Sequence, residues 1–308
     1  VENKLFNLTN EVKSQKLSTS AELVNTIFFE LKNKSLNPKL SGVSSGFYDL
    51  DALTQGFQKS DLIIVAGRPS MGKTSLSLNI ASNVIKNSKL PVLFFSLEMS
   101  KEQIMYKLLS METNINQMRL KGGKLYQNDW IKLTKMIKII SKFPLFIDDT
   151  FNLSIQDIKS KIKTILFEQN QLGLVIIDYI QLMQTTNFEN ENRVQELSKI
   201  TRSLKKIARE FNIPIIGLSQ LSRNVENRVD KKPILSDLRE SGSIEQDADL
   251  VIMLYKNKVE NSFASQPIAN TSKSIELIIA KHRNGPTGTV QLKFHEEQTK
   301  FFNKETNF

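Results

Sequence analysis

The chain of 308 residues contains no cysteine. That excludes disulfides, thiolate metal sites and a cysteine nucleophile, and it fits a reducing compartment. No apolar run approaches the roughly 20 residues needed to span a bilayer. The opening stretch VENKLFNLTNEVK has no apolar core of the kind that marks a secretion signal. Internal repeats and sustained heptads are also missing, which leaves one large α/β domain with a small appendage, or two medium domains.

Acidic charge is the scarcer sign: 32 Asp and Glu stand against 42 Lys and Arg, a formal net charge of +10. The excess lies across the middle of the chain rather than in a tail. Such a balance suits a polyanionic partner, nucleic acid being the commonest. Abundant Asn, Lys, Ile and Phe is also what an AT-rich genome encodes, so charge alone does not choose.

Residues 1–20 are polar and aperiodic. SAELVNTIFFELKNK then places Leu23, Val24, Ile27, Phe28 and Leu31 on one helical face. The Pro and Gly of NPKLSGVSSGF break that helix and mark a connector near position 40. Two parts follow, a tail with its helix over 1–40 and an α/β domain over 41–308. In the second part strands and helices alternate, which predicts a mostly parallel central sheet flanked by helices. Strands are expected at 61–67, 91–97, 144–149, 173–180 and 213–219, all apolar on both faces and therefore central. Helices are expected near 73–87, 100–110, 127–141, 155–169 and 193–211. Further strands at 249–255, 274–280 and 289–294 predict an antiparallel C-terminal extension.

GRPSMGKT, from Gly67 to Thr74, matches the P-loop pattern without deviation, with a buried strand before it and a helix after it. In such a loop the backbone N–H groups of Gly67, Arg68, Ser70, Met71 and Gly72 curl around phosphate oxygens, helped by the helix N-terminus, while Pro69, which has no N–H, shapes the turn. Lys73 supplies a point charge for the β- and γ-phosphates of ATP, Thr74 offers a hydroxyl to Mg²⁺, and Ser75 continues the turn. GLVIIDYI ends a strand in Asp178, where a second magnesium-orienting carboxylate is needed. Hydrolysis also needs a group to activate water. Glu98 in LFFSLEMS and the pair Asp148/Asp149 in PLFIDDT both qualify, and spacing favours Glu98 only narrowly.

Several separated blocks, AGRPSMGKTSLSLNIA, FFSLEMS, LGLVIIDYIQLM, GLSQLSR, LSDLRESGSIEQDAD and IIAKHRNGPTGTVQL, resemble in family order the motor domain of DnaB-type replicative DNA helicases. These are RecA-like P-loop ATPases, and the resemblance runs from about residue 20 to residue 303. It implies that Glu98 is the catalytic glutamate and that Gln220, in GLSQLSR, senses the γ-phosphate, although a glutamine there could equally close a strand. It implies that residues 221–243 hold single-stranded DNA, with Arg223, Arg228, Arg239, Glu240 and Gly242 as the candidate contacts. Aromatic residues are absent from that stretch, which argues for tracking the backbone with weak sequence preference. Lys281 and Arg283, in KHRNGPTG, match a lysine and arginine that reach the γ-phosphate of an adjacent subunit.

The family implies a homohexamer driven by ATP and Mg²⁺, moving 5′→3′ on single-stranded DNA and meeting a primase and a helicase loader, with no membrane role. Residues 21–34 match the linker helix that packs on a neighbouring subunit, although the sequence itself does not choose between its own core and a neighbour's. The family's N-terminal helical domain does not precede it here, so the sequence reads as a fragment or a shortened version. Its home would be the bacterial cytoplasm or the plastid stroma, the AT-rich composition leaning toward a plastid. A RecA- or clock-type ATPase without unwinding activity is the alternative.

Overall fold

The computed structural model describes residues 19–36, 40–183, 193–228, 230–256 and 272–304. The chain divides into two compact units, Val1–Leu40 and Ser41–Phe308. Within the first, helix α1 spans Ser20–Leu36. Its start is held reciprocally: the Thr19 N–H donates to Glu22 Oε2 at 3.1 Å and the Glu22 N–H to Thr19 Oγ1 at 3.4 Å. Leu23, Val24, Ile27, Phe28 and Leu31 are all more than half exposed.

The second unit is built on a nine-stranded sheet in the order β3-β2-β4-β5-β1-β6-β7-β8-β9. Its strands are β1 Leu62–Gly67, β2 Val92–Ser96, β3 Leu145–Asp148, β4 Leu174–Asp178, β5 Ile215–Gln220, β6 Leu250–Tyr255, β7 Ser272–His282, β8 Gly288–His295 and β9 Lys300–Asn303. Every pairing from β3 to β6 is parallel and every pairing from β6 to β9 antiparallel. The helices are α2 Tyr48–Thr54, α3 Lys73–Asn83, α4 Lys101–Thr113, α5 Gln117–Lys121, α6 Gln127–Ile140, α7 Ile155–Gln169, α8 Arg193–Phe211 and α9 Gly242–Asp247.

Strand β1 shows why the sheet is central. Ile63 and Val65 enter the apolar layer that contains Leu76 and Ile80 of α3, while Leu62, Ile64 and Ala66 enter the layer that contains Leu204 and Ala208 of α8. A six-residue strand with all positions buried needs apolar residues on both faces, which LIIVAG supplies.

β3 departs from expectation. It was expected in the centre and lies at the edge, with all four residues only half-buried. Its acidic end explains the difference. Asp148 Oδ2 pairs with Lys161 of α7 at 2.5 Å, and Asp149 Oδ2 accepts the Lys101 N–H of α4 at 3.1 Å. A short strand tipped with charge suits an edge that must not pair further. α2, α5 and β9 carry no expectation from the sequence; each is short, four to seven residues.

Candidate functional site

Strand β1 delivers Gly67 to the carboxyl end of the sheet, where it pairs with Gln220 at the end of β5. The loop between β1 and α3 needs two left-handed residues, Ser70 at φ 64° and Gly72 at φ 89°. Gly72 also lies on the stacked rings of Phe294 and Phe301, whose centroids are 4.3 Å apart. A methyl group at Gly72 would sit 3.2 Å from Phe301 and 3.3 Å from Phe294. Glycine is therefore favoured here by backbone conformation, and any side chain would also press on the two rings.

The loop borders a cleft of about 410 Å³ at the carboxyl ends of the strands, where ligands bind in open α/β sheets. Pro69, Ser70, Gly72, Lys73, Thr74 and Ser75 of the loop and helix line it together with Glu98, Asp178 and Gln220. Lys73 Nζ donates to the carbonyls of Gly67 at 2.8 Å and Arg68 at 3.2 Å. Burial pushes its pKa down, opposed by the nearby Asp178 and Glu98. Thr74 Oγ1 donates to Asp178 Oδ2 at 2.6 Å. Asp178 is 2% exposed, and burial raises its pKa while the Thr74 bond opposes the rise.

This hydroxyl and carboxylate fit Mg²⁺, which keeps several waters and takes one or two protein oxygens beside the phosphates. Among the described residues no group of three or more His, Cys, Asp or Glu converges as a metal cage, so phosphate and water would complete the shell.

The three candidate bases separate. Glu98, exposed just beyond β2, lines the cleft, whereas the side chains of Asp148 and Asp149 are engaged with Lys161 and with the start of α4. The Arg68 side chain turns from the cleft, its Nε donating to Glu226 Oε1 at 2.8 Å and its Nη1 to the Leu221 carbonyl at 2.9 Å. Only its backbone therefore faces the loop. Met71 packs against the apolar core.

The sequence reading missed Lys107. It lines the cleft from α4, and burial lowers its pKa against the attraction of Asp178 and, more weakly, Glu98. The signal was present: Ile104, Leu108 and Met111 mark the inward face of α4, and a lysine at position 107 falls on it.

Lys281 and Arg283 do not enter this cleft. Strand β7 pairs antiparallel to β6, with Leu250 opposite His282, and Leu250 in turn pairs with Ile63 near the start of β1. Lys281 is level with Ile64 and Arg283 with Leu62, which at roughly 3.3 Å per residue places them about 10 Å and about 16 Å of strand from Gly67, toward the amino end of β1.

Beyond β5 the chain is turned rather than extended. Short 3₁₀ turns span Arg223–Asn227 and Leu235–Ser241. Buried Asp237 organises them: it pairs with Arg228 and accepts the Ile234 N–H at 2.8 Å. Arg223 is exposed and Arg228 half-buried. The backbone of Arg239 and Glu240 belongs to the second turn and Gly242 starts α9; the side chains of Arg239 and Glu240 lie outside the described residues.

A P-loop on a parallel sheet, a buried carboxylate one bond from the P-loop threonine and a carboxylate beyond β2 define a P-loop nucleotide-binding domain of the RecA-like class. The chain belongs to the DnaB-like helicase C-terminal domain family, whose model matches residues 42–303. It is 64% identical over 302 residues to a probable replicative DNA helicase of Trieres chinensis, covering 98% of this chain and 66% of that protein. It is 50% identical over 270 residues to the replicative DNA helicase DnaB of Geobacillus stearothermophilus, covering 88% and 58%. The chain thus spans about two thirds or less of the length of these relatives. Among solved structures, one described as an ATPase domain superposes with a TM-score of 0.84 at 38% identity, over 94% of this chain and 100% of that one. A DnaB-like replicative helicase, described with its interactions with primase, superposes with a TM-score of 0.81 at 37% identity, over 99% and 71%.

Proposed function

We propose that the chain is the motor of a replicative DNA helicase, an ATP- and Mg²⁺-driven homohexameric ring that moves 5′→3′ along single-stranded DNA and separates the duplex ahead. The observation that carries this reading is the division of its charged groups between the two ends of one sheet. Lys73, Thr74, Glu98, Asp178 and Gln220 share one cleft, while Lys281 and Arg283 sit about 10 Å and about 16 Å of strand away, toward the other end of β1. A domain that used all of these on one nucleotide would gather them in one place.

In the proposed cycle the P-loop amides and Lys73 hold the phosphates, and Lys107 adds a second cation from α4. Glu98 draws the proton from the attacking water. When bound, Mg²⁺ held near Thr74 and Asp178 neutralises charge that develops on the phosphate oxygens. Gln220, at the end of β5, contacts the γ-phosphate and precedes the 221–242 segment directly, so its position reports nucleotide state to the residues proposed to grip DNA. Lys281 and Arg283 reach the γ-phosphate of an adjacent subunit, where an added cation is worth about 10³–10⁵ in rate.

The exposed stripe of α1, Leu23, Val24, Ile27, Phe28 and Leu31, docks on that neighbour. Primase and a helicase loader are the proposed protein partners and the plastid stroma the proposed compartment, the last on the AT-rich composition. No helix among the described residues is long and apolar enough to cross a membrane.

The decisive experiment measures ATPase activity with and without single-stranded DNA across a range of protein concentration. The reading expects DNA stimulation and specific activity that rises with concentration as rings form. A strictly first-order, DNA-insensitive activity overturns it. Unwinding of a forked duplex separates it from a RecA- or clock-type ATPase.

A further inference from the structure

Lys281 and Arg283 converge on one feature, the carboxyl end of α9. Lys281 Nζ donates to the carbonyls of Glu245 at 2.5 Å and Ala248 at 2.7 Å. Arg283 Nη2 donates to the Gln246 carbonyl at 2.7 Å, and Nη1 donates to Asp249 Oδ1 at 3.2 Å. Asp249 is 4% exposed. Its other oxygen, Oδ2, accepts the backbone N–H of Leu62 at 2.9 Å and also pairs with Lys205 of α8. Even the backbone joins in, since the Arg283 N–H donates to the Asp249 carbonyl at 2.8 Å.

One buried carboxylate therefore lies where three parts of the proposed cycle meet. It holds Arg283. It ends the segment opened by α9, whose first residue, Gly242, follows the block proposed to grip DNA. It also anchors the first residue of β1, the strand that runs into the P-loop.

We propose that Asp249 is a positioning residue for hydrolysis in the adjacent subunit. It fixes the plane of the Arg283 guanidinium and ties the posture of that group to α9 and β1. The inference rests on the reading of Arg283 as acting on a neighbour's phosphate. A guanidinium has five N–H donors, and the Asp249 and Gln246 contacts occupy two of them. The rest remain for a phosphate, and 47% of the side chain is exposed. Lys205 is shared between Asp249 and Asp61, whose Oδ1 lies 3.6 Å from its Nζ, so Asp249 keeps charge with which to orient Arg283. Orientation matters because the fork recognises phosphate in its own plane.

The test is Asp249→Asn in the full chain, which keeps an acceptor for the Leu62 N–H and removes the charge that aligns Arg283. The expected result is KM within about twofold of the parent and kcat lower by about ten- to a hundredfold, the worth of a hydrogen bond to a charged group. Mixed with Lys73→Ala, which lacks its own phosphate site but keeps its Arg283, the variant should recover part of its activity. Arg283→Ala mixed with Lys73→Ala runs in parallel. Recovery in that control without recovery in the Asp249→Asn mixture overturns the inference and leaves the trans reading standing. Recovery in neither brings down the trans reading and the inference with it.

If Asp249→Asn does not assemble, Arg283→Lys decides. It keeps the charge but cannot bridge Asp249 and the Gln246 carbonyl as a fork. Asp249→Glu, which keeps the charge but shifts the oxygens, is compared with it. A tenfold or greater loss of kcat at unchanged KM in both supports the inference. Parental kcat in Arg283→Lys, or a loss there with parental kcat in Asp249→Glu, overturns it.

Discussion

Asp178→Asn should make the nucleotide-free protein more stable while abolishing its activity. Asp178 is a nearly inaccessible carboxylate whose pKa is raised chiefly by burial. Taking such an ion out of water costs several kcal/mol. The Thr74 hydroxyl at 2.6 Å returns about 1.5–3 kcal/mol as a charge-assisted bond. Attraction to Lys73 and Lys107 offsets more of the cost and is lost in the variant. The balance left for asparagine to relieve is on the order of 1–3 kcal/mol. For a chain of this size that corresponds to a melting temperature higher by roughly 2–6 °C.

The pH dependence has a fixed sign. A raised native pKa means that the folded state tolerates the protonated carboxyl better than the ion, so this penalty is absent below the unfolded carboxylate pKa and complete above the raised native one. The gap between variant and parent should open as pH rises through that window. Added Mg²⁺ and a non-hydrolysable ATP analogue should reverse the order, stabilising the parent more than the variant. Differential scanning calorimetry across pH, with and without ligand, reads all three effects. A variant that melts lower than the parent at neutral pH without ligand refutes the reasoning, because Asp178 would then stabilise the resting fold.

Gly72→Ala should lose about 2–4 kcal/mol of stability, from left-handed strain and from a methyl pressed onto Phe294 and Phe301; thermal melting checks it, and a change under about 1 °C counts against the packing account. Lys107→Gln should lower kcat by about 10²-fold, with a smaller effect on nucleotide affinity; steady-state kinetics beside a fluorescent-nucleotide titration separates the two. Gln220→Ala should bind nucleotide normally yet lose stimulation by single-stranded DNA, and an unchanged stimulation ratio would remove Gln220 from the coupling path.

The parallel core and its phosphate loop were legible in the sequence because each rests on a local signal. LIIVAG and LVIID are apolar at nearly every position, and GRPSMGKT fixes both the loop and the helix after it. β3 was misplaced because its central residues are as apolar as any core strand's. Its edge position is decided by Asp148 and Asp149, whose partners Lys161 and Lys101 come from other elements. The choice between Glu98 and that pair lay beyond spacing for the same reason, since all three sit at or just past the carboxyl ends of predicted strands. Lys107 was overlooked because a single lysine on an inward helical face draws no motif.

The placement of Asp249 and Gly67 at opposite ends of β1 has a consequence for assembly. Each contact between proposed subunits joins two different surfaces of the same chain, a cleft from one and an Arg283 from the next. Head-to-tail contacts of this kind close into a ring or continue as an open helix. Wherever such a chain of subunits has a break, the subunit on one side holds nucleotide with no incoming arginine, and the one on the other side offers an arginine with nothing to receive it. An opened ring is then marked chemically as well as geometrically: one nucleotide site stalls, and the stall identifies the gap.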